Sequence, residues 1–260
     1  MKEIKIIFFD IDGTLIDMEK KYMTQTTLKT LQQLKEQGIL LCIATGRGPT
    51  SLPEFSGIDF DAFLTFNGSY CYGRRGDIFC NPIPAVDVKK LVANAASLGR
   101  PVAIATKDRV AANGSEPDLV DYYAIADQKL KIATDFDALL EENVYQVMMG
   151  CRETEYPAIL QGVSHAKIAA WWDRAADIIP ATGGKGIGVE KILEYYGLDR
   201  SQAMAFGDGN NDIEMLQAVG TGVAMGNGSE KLKSVADAVC GSVSREGVRE
   251  YCISQGLITE

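Results

Sequence analysis

Ile4-Lys5-Ile6-Ile7-Phe8-Phe9-Asp10-Ile11-Asp12-Gly13-Thr14 decides the reading of this chain. The β-branched and aromatic run up to Phe9 predicts a buried strand, and Gly13 ends it in a tight turn. Alternation along a strand points residues two apart the same way, so Asp10 and Asp12 arrive together at its C-terminal end. A turn that begins early still brings both into one small volume. Two carboxylates that close repel, unless a cation lies between them or one keeps a proton. Both arrangements suit chemistry on phosphate. The alternatives are a surface turn or a fragment of a calcium loop. A calcium loop needs a further acidic or amide residue between Asp12 and its glycine, and Gly13 follows directly.

Outward from this strand, residues 24–37 carry Leu28, Leu31 and Leu34 at helical spacing, with Gly38 as the stop. Residues 39–44 form a second apolar run. Strand, helix and strand in about forty residues predict a βαβ unit and a parallel sheet. The same rhythm returns late in the chain: a helix over 187–196, a strand over 203–206 and a helix over 212–219. A strand over 222–225, a helix over 230–236 and a short strand over 238–239 complete it. Residues 62–66 read as a further core strand, and 70–80 as a hairpin. The middle is different, with a helix over 86–98 and strands over 101–105, 144–151 and 167–172. A segment over 177–179 pairs back across Asp173-Arg174, and such hairpins belong to an α+β module. The expected fold is α/β: a Rossmann-like parallel-sheet core (residues 1–82 and 181–260) interrupted by an inserted α+β cap domain (residues 83–180).

The 260 residues are 46% hydrophobic and 23% charged, as in ordinary globular proteins. No apolar stretch approaches the length that spans a bilayer, and the chain enters its first strand with no room for a signal peptide. The net charge of −9 argues against nucleic acid or an anionic membrane as partner. Six cysteines without a C-x-x-C pair suggest a reduced, cytoplasmic protein. Three Asn-Gly-Ser triplets, beginning at Asn67, Asn113 and Asn227, read as turns.

In an open parallel sheet, ligands bind beyond the C-terminal strand ends. There the chain places Asp10 and Asp12, then Thr45-Gly46-Arg47, then Gly207-Asp208-Gly209-Asn210-Asn211-Asp212. Gly183-Gly184-Lys185-Gly186 precedes the helix expected at Ile187. Each has a plain structural reading: Thr45-Gly46 as a strand cap, Lys185 as a solvated loop lysine, Asp208-Gly209-Asn210 as a turn, Asp212 as a helix N-terminal charge. Lys185 does not belong to a Walker loop, because Gly186 stands where Ser or Thr is required. All four readings holding at once is improbable.

These motifs resemble those of the haloacid dehalogenase superfamily, in the Cof-like branch with a large type IIB cap. Asp10-x-Asp12-Gly13-Thr14 matches its first motif, Thr45 the second, Lys185 the third and the acidic loop 207–212 the fourth. Asn67-Gly68 matches a short pattern of that branch, and Gly184 departs from the polar residue usual there. The resemblance implies a phosphatase for small phosphorylated metabolites, sugar phosphates above all, working through an aspartyl phosphate with Mg²⁺. Asp10 is then the nucleophile and Asp12 the acid and base. The Asp10 carboxylate, the Asp12 carbonyl and the Asp208 carboxylate hold the metal, with Asp212 behind them. Thr45, Gly46, Lys185 and Asn211 bind the phosphoryl group, and the cap closes over it.

Asp12 separates this chain from ion-pumping relatives with Thr at that place, and favours hydrolysis over a lasting phosphoenzyme. A phosphomutase on the same intermediate is one alternative, although about thirty residues between Asp12 and Thr45 leave no room for its small helical cap. A phospho-accepting or metabolite-binding regulatory protein is another, although signalling receivers are shorter and lack the insertion. Trp171 and Trp172 are candidates for stacking on a substrate ring, His165 reads as a loop residue, and Arg47 as a substrate contact or a surface residue.

Overall fold

The structure, a computed structural model, describes residues 3–125, 128–170 and 172–260. It separates into two compact units, one of Met1–Gly46, Pro53–Phe79 and Lys185–Glu260, the other of Arg47–Leu52 and Cys80–Gly184. The first unit begins with strands β1 (Ile6–Phe9), β2 (Leu40–Ala44), β3 (Ala62–Thr65), β4 (Tyr70–Gly73) and β5 (Gly76–Cys80, its last residue across the division). The second unit supplies β6 (Val102–Ala105), β7 (Val110–Ala112), β8 (Gln146–Gly150), β9 (Ala166–Ala169) and β10 (Ala175–Pro180). The chain then returns with β11 (Ala203–Gly207), β12 (Thr221–Ala224) and β13 (Ala238–Val239).

The first unit is an eight-stranded sheet in the order β13-β12-β11-β1-β2-β3-β4-β5. From β13 to β3 every pairing is parallel, and β4 turns back against β3. All four residues of β1 are fully buried, as a strand covered on both faces requires. Ile6, Phe8, Cys42, Leu64 and Ala205 face Val189, Ile192, Met215 and Leu232 of helices Lys185–Tyr196, Ile213–Ala218 and Glu230–Lys233. On the opposite side Phe9 stacks on Phe206, which meets Tyr251 of helix Gly247–Ser254 edge to face. Helix Gln25–Glu36 opens with Thr24, whose hydroxyl accepts from the Thr27 N–H at 3.0 Å. Among the described residues no helix is long and apolar enough to cross a membrane.

The second unit is an antiparallel sheet in the order β7-β6-β8-β10-β9. One face packs Val102, Ile104, Val147, Met149 and Ile178 against Val88, Leu91 and Ala95 of helix Ala85–Ser97. Helix Pro117–Ile125 lies on the other face, where the Tyr122 hydroxyl donates to Asp177 at 2.5 Å. Arg152 and Arg174 both bond the Asp118 carboxylate.

The α/β core and its parallel order agree with the sequence reading, as do the helix and hairpin of the insert. Three features differ. Strand β9 stops at Ala169 rather than reaching Trp172, whose ring carries the Arg174 guanidinium 4.8 Å from its centroid, so this ring is engaged by a side chain of its own unit. Trp171 lies outside the described residues. The helix expected at Ile187 begins at Lys185, because Gly184 turns the chain at φ 139° and helical backbone follows at once. Strand β7 and the helices Pro117–Ile125, Phe136–Leu139 and Tyr156–Ile159 were not anticipated; except for Pro117–Ile125 they are too short to show a period.

Gly188 sits on the helix that delivers Lys185, and a Cβ there would lie 2.5 Å from Leu64 Cδ1 and 3.1 Å from the Gly68 backbone. Gly188→Ala is expected to cost about 1–3 kcal/mol through overpacking, read as a lowered urea midpoint.

Candidate active site

Three neighbouring parallel strands deliver the first, second and fourth motifs. The register pairs Phe9 with Phe206 on one side and with Ile43 on the other, so the residues after β1, β2 and β11 leave the sheet side by side. The Asp10 N–H donates to Phe206 O at 3.0 Å, continuing that register one residue beyond the strand. Strand β1 ends at Phe9, so the turn begins early. The Ile16 N–H returns to Ile11 O at 2.8 Å and the Gly13 N–H to Ile16 O at 2.8 Å. Gly13 adopts φ 92°, and a Cβ there would stand 2.2 Å from Asp208 Oδ2. No side chain fits between the first motif and the fourth.

Lys185 is 1% exposed. Its Nζ donates to Asp10 Oδ1 at 2.7 Å and to Asp212 Oδ1 at 2.5 Å. Burial alone would push the ammonium toward its neutral form, but the two carboxylates outweigh it and hold the pKa above the usual lysine value. Asp212, fully buried, accepts with Oδ2 from the N–H groups of Asp208 at 3.0 Å and Gly209 at 2.9 Å. One carboxylate thus fixes both the ammonium and the acidic loop.

The single Lys185 ammonium does not neutralise all the carboxylates gathered around it. Burial, together with Asp212 and Asp12, pushes Asp10 up to about 7 despite the ammonium beside it. Burial, then Asp10 and Asp212, pushes Asp208 up to about 8. Oxygens of Asp10, Asp208 and Asp212 all lie within 4.8 Å of one another. A set of hard oxygen donors with surplus negative charge fits a small divalent cation. Both oxygens of Asp212 are already committed, which leaves Asp10 and Asp208 as the carboxylates turned to such an ion.

Thr45 follows β2 and is 2% exposed; its N–H donates to Leu64 O at 2.9 Å and its carbonyl accepts from the Asn67 N–H at 3.0 Å. Phe66, Asn67 and Gly68 take φ of 51°, 52° and 88°, a run of left-handed backbone at the tip of β3. Such strain persists only where its surroundings hold it. Here the Asn67 Oδ1 accepts from Asn211 Nδ2 at 3.1 Å, and its side chain stands against Gly46, where a Cβ would meet the amide at 3.1 Å. Asp10, Lys185, Asp208 and Asp212 are therefore brought into contact, with Thr45, Gly46, Asn67 and Asn211 forming an adjoining set. Asp12, half-buried, bridges to Ile16. In the inserted unit Arg47 donates to Ser51 O at 3.2 Å, and the exposed His165 pairs with Asp87. Two residues escaped the sequence reading. The sequence gives Asn67 only as part of a short pattern and Asn227, whose Nδ2 donates to Gly13 O at 2.9 Å, only as a turn residue. The signal was available in both cases: an Asn-Gly-Ser triplet a short step past the end of a mostly buried core strand.

The profile of haloacid dehalogenase-like hydrolases matches residues 7–251. The chain belongs to that family. A 5-amino-6-(5-phospho-D-ribitylamino)uracil phosphatase of Bacillus subtilis, YitU, is 30% identical over 95% of each chain. A phosphatase of the same superfamily from Bacteroides thetaiotaomicron superposes with a TM-score of 0.91 at 32% identity, covering 98% of this chain and 96% of its own. A subclass IIB sugar phosphatase superposes at 0.87 with 27% identity, covering 98% of this chain and all of its own. The chain is a phosphoric monoester hydrolase of the Cof-like branch.

The upward shifts of Asp10 and Asp208 fix a pH dependence. Carboxyls raised above their unfolded values favour the metal-free fold at low pH, and that contribution is lost as pH rises through about 7 to 8. The melting temperature of the metal-free protein is expected to fall from about pH 5 to about pH 9. Asp208→Asn, which removes one of the repelling charges, is expected to raise it at the upper end and leave it little changed at the lower. Thermal melts in chelator across that range check this.

Proposed function

We propose that the chain hydrolyses phosphate esters of small metabolites, sugar phosphates foremost, by transfer of the phosphoryl group to Asp10. The observation that carries this reading is the Lys185 ammonium held against Asp10 while Asp208 faces the same carboxylate unpaired by it. The relatives named above act on a phosphorylated ribitylamino-uracil and on sugar phosphates, which supports a polyol or sugar carrying the ester.

Mg²⁺ suits the donor set, and Asp10, Asp208 and the Asp12 carbonyl would hold it. When bound, it neutralises the crowded carboxylates and lets an anion approach them. Asp10 Oδ attacks phosphorus in line with the departing alkoxide. Lys185 and the Gly46 N–H carry charge on the equatorial oxygens, with the Thr45 hydroxyl and the Asn211 amide beside them. The Asp12 carboxyl gives its proton to the leaving oxygen, then takes one from the water that attacks the aspartyl phosphate and frees phosphate. Asp212 keeps Lys185 and the 208–209 backbone in place throughout.

Asp10→Asn is expected to leave a folded protein with essentially no turnover; substantial activity in that variant would remove Asp10 as nucleophile. Asp12→Asn is expected to lose roughly 10²–10⁴-fold per step on a sugar phosphate. An activated aryl phosphate scarcely needs the proton, so its first step should be partly rescued and phosphoenzyme should accumulate. Rapid-quench measurement of labelled protein tests this, and equal losses on both esters with no labelled enzyme count against Asp12 as acid and base. Asp208→Ala is expected to raise the Mg²⁺ concentration needed for half-maximal phosphate release, and EDTA to silence the wild type.

A further inference from the structure

The Asn-Gly-Ser triplet at 227 lies in the turn after β12, and its asparagine joins three loops. Asn227 Nδ2 donates to Gly13 O at 2.9 Å and reaches Asp208 Oδ2 at 3.5 Å, while Oδ1 accepts from the Val243 N–H at 2.9 Å. The same turn grips the backbone beneath Asp208. The Ser229 N–H donates to Asp208 O at 2.9 Å, and a Cβ on Gly228 would lie 3.1 Å from that carbonyl and 3.2 Å from Asp208 Cα. On the far side of the carboxylate, Thr14 Oγ1 points at Asp208 Oδ1 from 3.4 Å.

These contacts converge where the first and fourth motifs touch without an intervening side chain. Gly13 O belongs to the peptide next to the Asp12 carbonyl, and Asp208 Oδ2 stands against the missing Cβ of Gly13. A carbonyl and a carboxylate both present negative charge at that seam and would drift apart. A primary amide has two hydrogens and can bridge them, while its oxygen anchors it to Val243. A lysine in that position would compete with a cation; a serine has only one proton to give.

We propose that Asn227 is a positioning residue for the metal: by bridging Gly13 O and Asp208 it fixes the spacing of the first and fourth motifs and so sets Mg²⁺ affinity. The proposal rests on the Mg²⁺-dependent reading above. It separates Asn227 from a purely structural staple, because the metal, rather than the fold, feels its loss.

The test compares wild type, Asn227→Ala and Asn227→Asp, titrating metal-free protein with MgCl₂ by calorimetry and following phosphate release against Mg²⁺ concentration. Removing an outer partner of a metal ligand typically weakens affinity by about 10- to 100-fold, and a loss of about tenfold is expected for Asn227→Ala. Turnover should climb back toward wild type as Mg²⁺ is raised. Asn227→Asp is the sharper variant. It keeps the shape and the acceptor for Val243, so the fold is retained, but it turns an oxygen toward Gly13 O and Asp208. Added negative charge by itself would tighten cation binding, whereas loss of the bridge weakens it. Weaker Mg²⁺ binding by Asn227→Asp is the expected result. Binding as tight as wild type, or tighter, in the folded variant would overturn the proposal. So would a loss of turnover at saturating Mg²⁺ with the calorimetric affinity unchanged. A wild type that neither binds Mg²⁺ nor needs it would instead overturn the metal-dependent reading, and the proposal with it.

Discussion

Everything at this site depends on one buried ammonium. Lys185 has almost no access to water, and a lone cation in such a place would shed its proton. Asp10 and Asp212 prevent this, but the arrangement costs desolvation of three ions and is tolerable only with tight geometry. The geometry is supplied from far apart in sequence: Asp10 follows β1, Asp212 precedes helix Ile213–Ala218, and Lys185 begins its own helix. Small residues make the approach possible. Gly186 lets that helix close on the Glu214 backbone, where a Cβ would lie 2.8 Å from the carbonyl oxygen. The sheet, the helix packing and the ion triad are thus a single solution, and loosening any of them strands a charge.

The triad also explains why the remaining acids are so disposed. Lys185 satisfies one oxygen each of Asp10 and Asp212, and two backbone amides take the other oxygen of Asp212. What is left over is negative, concentrated on Asp10 and Asp208. A site built this way is frustrated on its own and relaxed by a divalent cation. Preorganisation and electrostatic strain are here the same property, as expected where groups await a charged ligand.

Much of this was legible in the residues because the decisive signals were local. The run Ile6 to Phe9, its acidic end and the 207–212 loop each announced a strand end with a charged turn, and parallel-sheet topology brought them together. The burial of Lys185 was not legible as such. The flanking glycines and the motif order mark it as a functional lysine but not as a buried one, because its partners lie 175 and 27 residues away. Asn227 escaped for a similar reason, since the carbonyl it serves is 214 residues off. In the insert, β7 and the four-residue helices are set by packing rather than period. Trp172 looked available for stacking because the sequence does not reveal that Arg174, two residues on, folds over its ring.

The order β12-β11-β1-β2 has a consequence during synthesis. Strand β1 gains β2 soon after leaving the ribosome, yet its other neighbour, β11, is separated from it by almost two hundred positions. Until that partner arrives, one edge of an apolar strand, with Phe8 and Phe9 among its residues, has no ladder to join. Unpaired edges of this kind recruit other chains, and closing so distant a pair is slow. The inserted unit, whose strands are near neighbours along the polypeptide, can settle in the interval. The Asp10 end of the sheet therefore cannot take its shape before Ala203 is made, and a nascent chain halted earlier carries Asp10 on an unfinished sheet.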